Sequence, residues 1–141
     1  MSQLFSVAVT AVIVRDGRVL LMKRSASQAH APGLWDPCSG RVECDETPDQ
    51  AVIREAHEET GLIVEPLRVI DTFHFLRGPE REQSIGITFL CRTEDGEVLI
   101  SPEHSEARWV KLGDFDGLEM AEGLREVLEA LAQDLAQEIT S

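Results

Sequence analysis

The stretch GRVECDETPDQAVIREAHEETGL, residues 40–62, decides how this chain is read. Within it Glu55, Glu58 and Glu59 stand at i, i+3 and i+4. On a helix of about 3.6 residues per turn these carboxylates crowd into roughly 100° of arc. Like charges at that spacing weaken a helix. So dense a cluster suggests a compensating cation, and oxygen-only donors suit Mg²⁺ or Mn²⁺. A solvated acidic face is the plainer reading of the same three residues, and their surroundings have to decide.

Those surroundings spell a helix with both ends marked. Thr47 is an N-cap, and Gln50 three residues on completes a capping box. Pro48 takes the first helical position, where its missing N–H is no loss. Gly61 suits the left-handed residue that ends a helix. The predicted helix runs over 48–60, with Val52, Ile53, Ala56 and Thr60 as an apolar stripe beside the acidic one. One side therefore packs on a core while the other turns carboxylates toward a cleft. Gly40 begins a loop into this helix, and without a side chain its backbone can approach an ion or phosphate closely.

The order G-x5-E-x7-R-E-U-x-E-E-x-G-U, with U apolar, resembles the signature of the Nudix hydrolases. Gly40, Glu46, Arg54, Glu55, Ala56, Glu58, Glu59, Gly61 and Leu62 fill its fixed positions. The flanks agree more loosely through LLMKR at 20–24, PGLW at 32–35 and EHSEARWV at 103–110. The resemblance implies an α/β fold, an α/β/α sandwich with a mixed β-sheet between helices. It also implies Mg²⁺-dependent hydrolysis (Mn²⁺ as the substitute) of a nucleoside diphosphate linked to another group. Glu55, Glu58 and Glu59 would hold the metal, with the Ser39 carbonyl as a further ligand. Arg54 would orient Glu55 through an ion pair, and Glu46 would support the site from outside the metal's own ligands. Glu103 would supply a late glutamate, as metal ligand or general base, with Glu106 as its competitor. Arg24 and Arg41 are candidates for contacting substrate phosphate, and each reads equally well as a surface cation. The proton of the attacking water would pass to Glu55 or Glu103, and the sequence does not choose between them.

One departure stands out. Pro37-Cys38-Ser39 precedes Gly40 where many members have Pro-Gly-Gly. A carbonyl ligand survives a serine side chain, so activity is expected to persist. The cysteine invites comparison with isopentenyl-diphosphate isomerase, a relative on the same fold, but there the catalytic cysteine directly precedes the glycine, whereas Cys38 lies one residue early. A non-catalytic nucleotide-sensing domain is the third reading, and such a domain would be expected to lose box glutamates that this chain keeps. Among substrates, (deoxy)nucleoside triphosphates rank first, by analogy with compact MutT-like members. ADP-ribose and nucleotide sugars follow. The absence of tyrosine argues against diadenosine polyphosphates.

Composition sets the remaining bounds. A chain of 141 residues with 43% hydrophobic content reads as one domain over 1–141, able to bury a substantial core. No apolar run approaches the roughly 20 residues needed to span a bilayer, and the N-terminus alternates like a strand rather than a signal peptide. Three cysteines without metal-type spacing favour a reducing cytoplasm. The net charge is −13, and only residues 1–39 are net basic. This argues against long nucleic acid or an anionic membrane as partner, but not against a small nucleotide once a cation reverses the local field.

Along the chain, residues 5–15 and 18–23 read as strands joined by the turn Asp16-Gly17. A loop follows at 25–33, then a short strand at 34–37. Residues 63–76 read as extended, 77–83 as a loop, 85–89 as a strand, and 108–110 as a last short strand after the loop SPEHSEARW. Leu118, Leu124, Leu128, Leu131 and Leu135 predict an amphipathic helix near 118–138, whose stripe is core or the face of a homodimer. Trp35 and Trp109 suit either base stacking or the core. No role is assigned to His30, His57, His74 or His104.

Overall fold

A computed structural model describes residues 3–140. The elements in chain order are β1 (Ser6–Arg15), β2 (Arg18–Arg24), β3 (Trp35–Asp36), β4 (Cys38–Arg41) and α1 (Pro48–Thr60). There follow β5 (Glu65–Arg77), β6 (Glu82–Arg92), β7 (His104–Lys111) and α2 (Glu122–Thr140). The sheet runs β3-β2-β1-β6-β5, with β4 pairing β1 and β7 pairing β2. The β1–β6 pair is parallel, while the other pairs are antiparallel. The sheet is therefore mixed, as the sandwich expectation requires.

Alternation along β1 divides the core into two layers. Val9, Ala11 and Ile13 face one side and pack with Ala51, Val52 and Ala56 of α1. Val12 faces the other and packs with Leu128 and Leu131 of α2, together with Leu90 and Trp35. Each helix thus buries its apolar stripe against an opposite face of one sheet. The C-terminal leucine stripe is core: Leu128 and Leu131 are buried, and Leu124 and Leu135 pack beside them. Among the described residues no helix is long and apolar enough to cross a membrane.

Helix α1 has the ends its sequence announces. Thr47 Oγ1 accepts from the Gln50 N–H at 3.2 Å, and Gln50 Oε1 accepts from the Thr47 N–H at 2.9 Å. Gly61 stops the helix at φ 77°, a conformation glycine adopts without steric cost.

Several expected boundaries differ. Ile53 is 38% exposed, and Ala51 takes its place in the buried stripe. Gly40 lies inside β4, paired opposite Val9, rather than opening a loop. The strand expected at 34–37 is confined to Trp35–Asp36. The loop at 77–83 contracts to 78–81, because β5 and β6 extend their pairing as far as Arg77 and Glu82. β7 begins at His104, so most of SPEHSEARW is strand held by pairing with β2. α2 begins at Glu122, and Leu118 is buried in the turn before it.

Candidate active site

Arg54 organises the acidic edge of α1. Its Nε donates to Glu46 Oε2 at 2.7 Å and its Nη2 to Glu46 Oε1 at 2.9 Å, a bidentate clasp. Nη1 donates to Glu55 Oε1 at 2.8 Å and to Glu58 Oε2 at 3.2 Å, and Nη2 also reaches the Arg41 carbonyl at 3.0 Å. These five bonds match the five donors a guanidinium owns. One cation therefore joins three of the box glutamates to β4. Hydrogen bonds from Arg54 hold the Glu46 carboxyl down to about 2, and the same bonds push the Arg54 guanidinium further up.

Glu59 turns the other way, accepting from the Ser39 N–H at 3.2 Å, with the buried Cys38 thiol close by. Burial raises the Glu59 carboxyl above the ordinary range, and neighbouring Glu55 adds to the shift. Burial likewise raises Glu55, against the pull of Arg54. Desolvation, then the charge of Glu59, pushes the Cys38 thiol far up, so it stays protonated. Gly40 leaves room for this packing, since a Cβ there would push the Glu55 carboxylate aside.

Among the described residues no three His, Cys, Asp or Glu side chains converge as a ready-made metal site. The reason is visible: Arg54 draws Glu55 and Glu58 to itself, while Glu59 faces Ser39. The donor set nevertheless fits Mg²⁺ or Mn²⁺ chemically. It consists of carboxylate oxygens, two of them part-buried with raised proton affinity, a state that a bound cation relieves.

Glu59, Ser39 and Gly40 line one part of an open cleft of about 820 Å³, within the usual range for small-molecule sites. Arg24, Asp36, Glu103 and His104 line it as well, as do Phe73 and Phe75. Arg24 is already engaged, with Nε donating to the His30 carbonyl at 2.8 Å and Nη2 to Gln28 Oε1 at 3.3 Å. The Glu103 backbone is fixed by the Ser25 N–H at 2.8 Å, and its carboxylate has no hydrogen-bond partner among the described residues. Glu106 lies on β7, bonded to Arg108 Nη2 at 2.7 Å, and outside the cleft lining. Arg41 also lies outside that lining and faces Glu82 at 3.6 Å.

Neither tryptophan reaches the cleft. Trp35 is buried beneath the Arg108 guanidinium, and Arg15 lies over the Trp109 ring at 4.2 Å. The aromatic cleft residues are Phe73 and Phe75, their ring centroids 5.5 Å apart. Sequence reading passed over these two and also Asp36 and His104. The alternation in DTFHF was the available signal for the phenylalanines.

The family profile of the NUDIX domain matches residues 4–131. The chain belongs to the Nudix family. Over 108 residues it is 33% identical to a "MutT-like protein" of Streptomyces ambofaciens, covering 76% of this chain and 64% of that protein. Over 113 residues it is 32% identical to an "ADP-ribose pyrophosphatase" of Methanocaldococcus jannaschii, covering 80% and 66%. The match thus spans slightly under two thirds of each relative's length. A crystal structure of a MutT Nudix hydrolase from Burkholderia pseudomallei superposes with a TM-score of 0.75 at 29% identity, over 90% of this chain and 98% of that one. This Nudix chain therefore has the layered fold as well as the box.

Proposed function

We propose that this chain is a divalent-cation-dependent pyrophosphohydrolase. Its first-ranked substrates are (deoxy)nucleoside triphosphates, cleaved to a monophosphate and pyrophosphate. The observation that carries this reading is the acidic edge of α1, ordered by Arg54 and set against β4 beside an open cleft. A solvated acidic face would not bring Glu55 up against Gly40 or bind Glu59 to the Ser39 amide.

Glu55, Glu58 and Glu59, with the Ser39 carbonyl, are the residues we assign to hold Mg²⁺ or Mn²⁺. When bound, the cation supplies positive charge against the phosphate oxygens and makes water more acidic. Arg54 keeps Glu55 and Glu58 oriented, and Glu46 keeps Arg54 in place. Water attacks phosphorus, the bridging P–O bond breaks, and the departing phosphate carries away the bond's electron pair. We assign the water's proton to Glu103, a residue of the cleft lining whose carboxylate has no hydrogen-bond partner among the described residues, rather than to Glu55, which shares its charge with Arg54. Arg24 borders the substrate's path, and Arg41 contributes through its carbonyl to Arg54. A reducing, cytoplasmic setting suits the exposed free thiol of Cys44.

ADP-ribose is the second reading, favoured by the likeness to the M. jannaschii protein. Product analysis of a nucleotide panel with Mg²⁺ tests both. Pyrophosphate release from triphosphates is the expected result, and AMP from ADP-ribose alone would move the assignment to the second reading. Binding without turnover would leave a sensing domain.

A further inference from the structure

A fault in the pairing of β2 with β7 turns one side chain inward. Lys23 pairs with Glu106 but Arg24 pairs with His104, so Ser105 is an extra residue on β7. Residues directly opposite in an antiparallel pair share a face, and successive residues alternate. Without the bulge Ser105 would stand opposite Arg24, and His104 would follow Glu106 onto the face of Lys23. With it, His104 joins Arg24 on the face of Met22, which α1 covers. Asp36 pairs with Met22 and so lies on that face too. Bulges beside active sites characteristically re-aim a side chain in this way.

The three side chains gathered there touch in series. Arg24 Nη1 reaches Asp36 Oδ2 at 3.5 Å, and Asp36 Oδ1 lies 3.3 Å from His104 Nε2. The His104 side chain is only 3% exposed. Asp36 Oδ1 and both His104 ring nitrogens are buried without an aligned hydrogen-bond partner among the described residues. A buried donor and a buried acceptor at this separation gain by completing the bond, because each left alone keeps its full desolvation penalty. A carboxylate only accepts, so the proton between them sits on Nε2.

The segment this pair holds is the one that carries Glu103. The Glu103 N–H donates to Ser101 Oγ at 3.3 Å, and its carbonyl accepts from the Ser25 N–H at 2.8 Å. Those bonds tie the main chain to neighbouring loops, whereas His104, the next residue, ties it to the interior. Arg24 extends the series, since its Nε donates to the His30 carbonyl at 2.8 Å. Asp36 therefore stands between the loop at 25–33 and the segment that brings Glu103 to the cleft.

We propose that His104 is a positioning residue for Glu103, acting by donating Nε2–H to Asp36 Oδ1. This rests on the hydrolase reading above, in which Glu103 takes the proton of the attacking water, and adds the residues that set where its carboxylate stands.

His104→Phe keeps a planar ring and removes the donor. It should lower kcat for a nucleoside triphosphate by about tenfold at unchanged KM, because a small misplacement of a reacting group costs rate rather than binding. His104→Gln restores an N–H donor and should recover most of that loss. Asp36→Asn keeps the shape, weakens the acceptor, and should lower kcat by a smaller factor. A double-variant cycle separates positioning from general support of the fold. In Glu103→Gln, adding His104→Phe should change kcat by less than about twofold, since the group it positions is already disabled. An equal loss in both backgrounds would overturn the proposal, as would a folded His104→Phe with the wild-type kcat, or His104→Gln as slow as His104→Phe. Asp36→Asn runs the same cycle if His104→Phe does not fold, with the same outcomes deciding. Amide exchange at Ser25 reads the anchor without turnover, and should quicken by about tenfold in His104→Phe and slow again in His104→Gln. A chain that hydrolysed no nucleotide would overturn the hydrolase reading alone. Quickened Ser25 exchange would still support the anchor, and unchanged exchange would overturn it.

Discussion

Glu59 shows how a single residue connects packing to function. Its carboxylate is raised by burial and by Glu55, so ionising it costs more in the native state than in the unfolded chain. A group whose folded pKa lies above its unfolded value destabilises the fold once pH passes the folded value, and the penalty disappears below the unfolded one. Without metal, Glu59→Gln should therefore raise the melting temperature near neutral pH. That gain should vanish below about pH 4, the unfolded carboxylate range. Thermal melts in chelator across pH check this, and a lower melting point at neutral pH would contradict it. Arg54 gives the converse case. Arg54→Lys retains the charge but loses the planar fork that clasps Glu46 and reaches Glu55 and Glu58 together. It should lower kcat by about tenfold or more, as measured by pyrophosphate release at saturating Mg²⁺. Helical periodicity puts the three glutamates on one face, but it was the resemblance of the whole box that singled out Arg54 and favoured a metal over a solvated acidic face. Asp36 and His104 were not visible in the sequence, because β3 and the start of β7 meet only through their separate pairings with β2.

At the scale of the element, α1 is the best specified part of the chain. Thr47→Ala removes the acceptor for the Gln50 N–H and should cost about 1 kcal/mol, visible as a lower urea midpoint at unchanged slope. An unaltered midpoint would mean that the cap contributes nothing. The helix could be read to the residue because its cap, proline and terminal glycine are local signals. β4 could not, since Cys38-Ser39-Gly40-Arg41 carries no alternation and exists through its pairing with β1. The start of β7 was hidden for the same reason, since its partner β2 lies far away in sequence. The start of α2 was misread because Leu118 is as buried as the helical leucines while sitting in a turn. Local chemistry thus identified the elements, and long-range pairing set the boundaries that periodicity missed.

For the whole molecule, a net charge of −13 on 141 residues is the dominant long-range fact. Self-repulsion of this size opposes the compact state and disfavours an anionic substrate. A cation bound at the acidic edge of α1 would address both problems. Mg²⁺ at ten times its dissociation constant should stabilise the fold by about 1.4 kcal/mol, beyond what NaCl of equal ionic strength provides through screening. Equal melting temperatures in the two salts would show that only screening operates.

The most direct measurement is the turnover of a nucleoside triphosphate by Glu58→Gln at saturating Mg²⁺. Glu58 is more than half exposed, and among the described residues its carboxylate bonds only to Arg54, so the variant should keep its melting temperature. Removal of its charge should lower kcat by about a hundredfold or more. A folded Glu58→Gln protein with the wild-type kcat would contradict the claim that the acidic edge of α1 is where the reaction is catalysed.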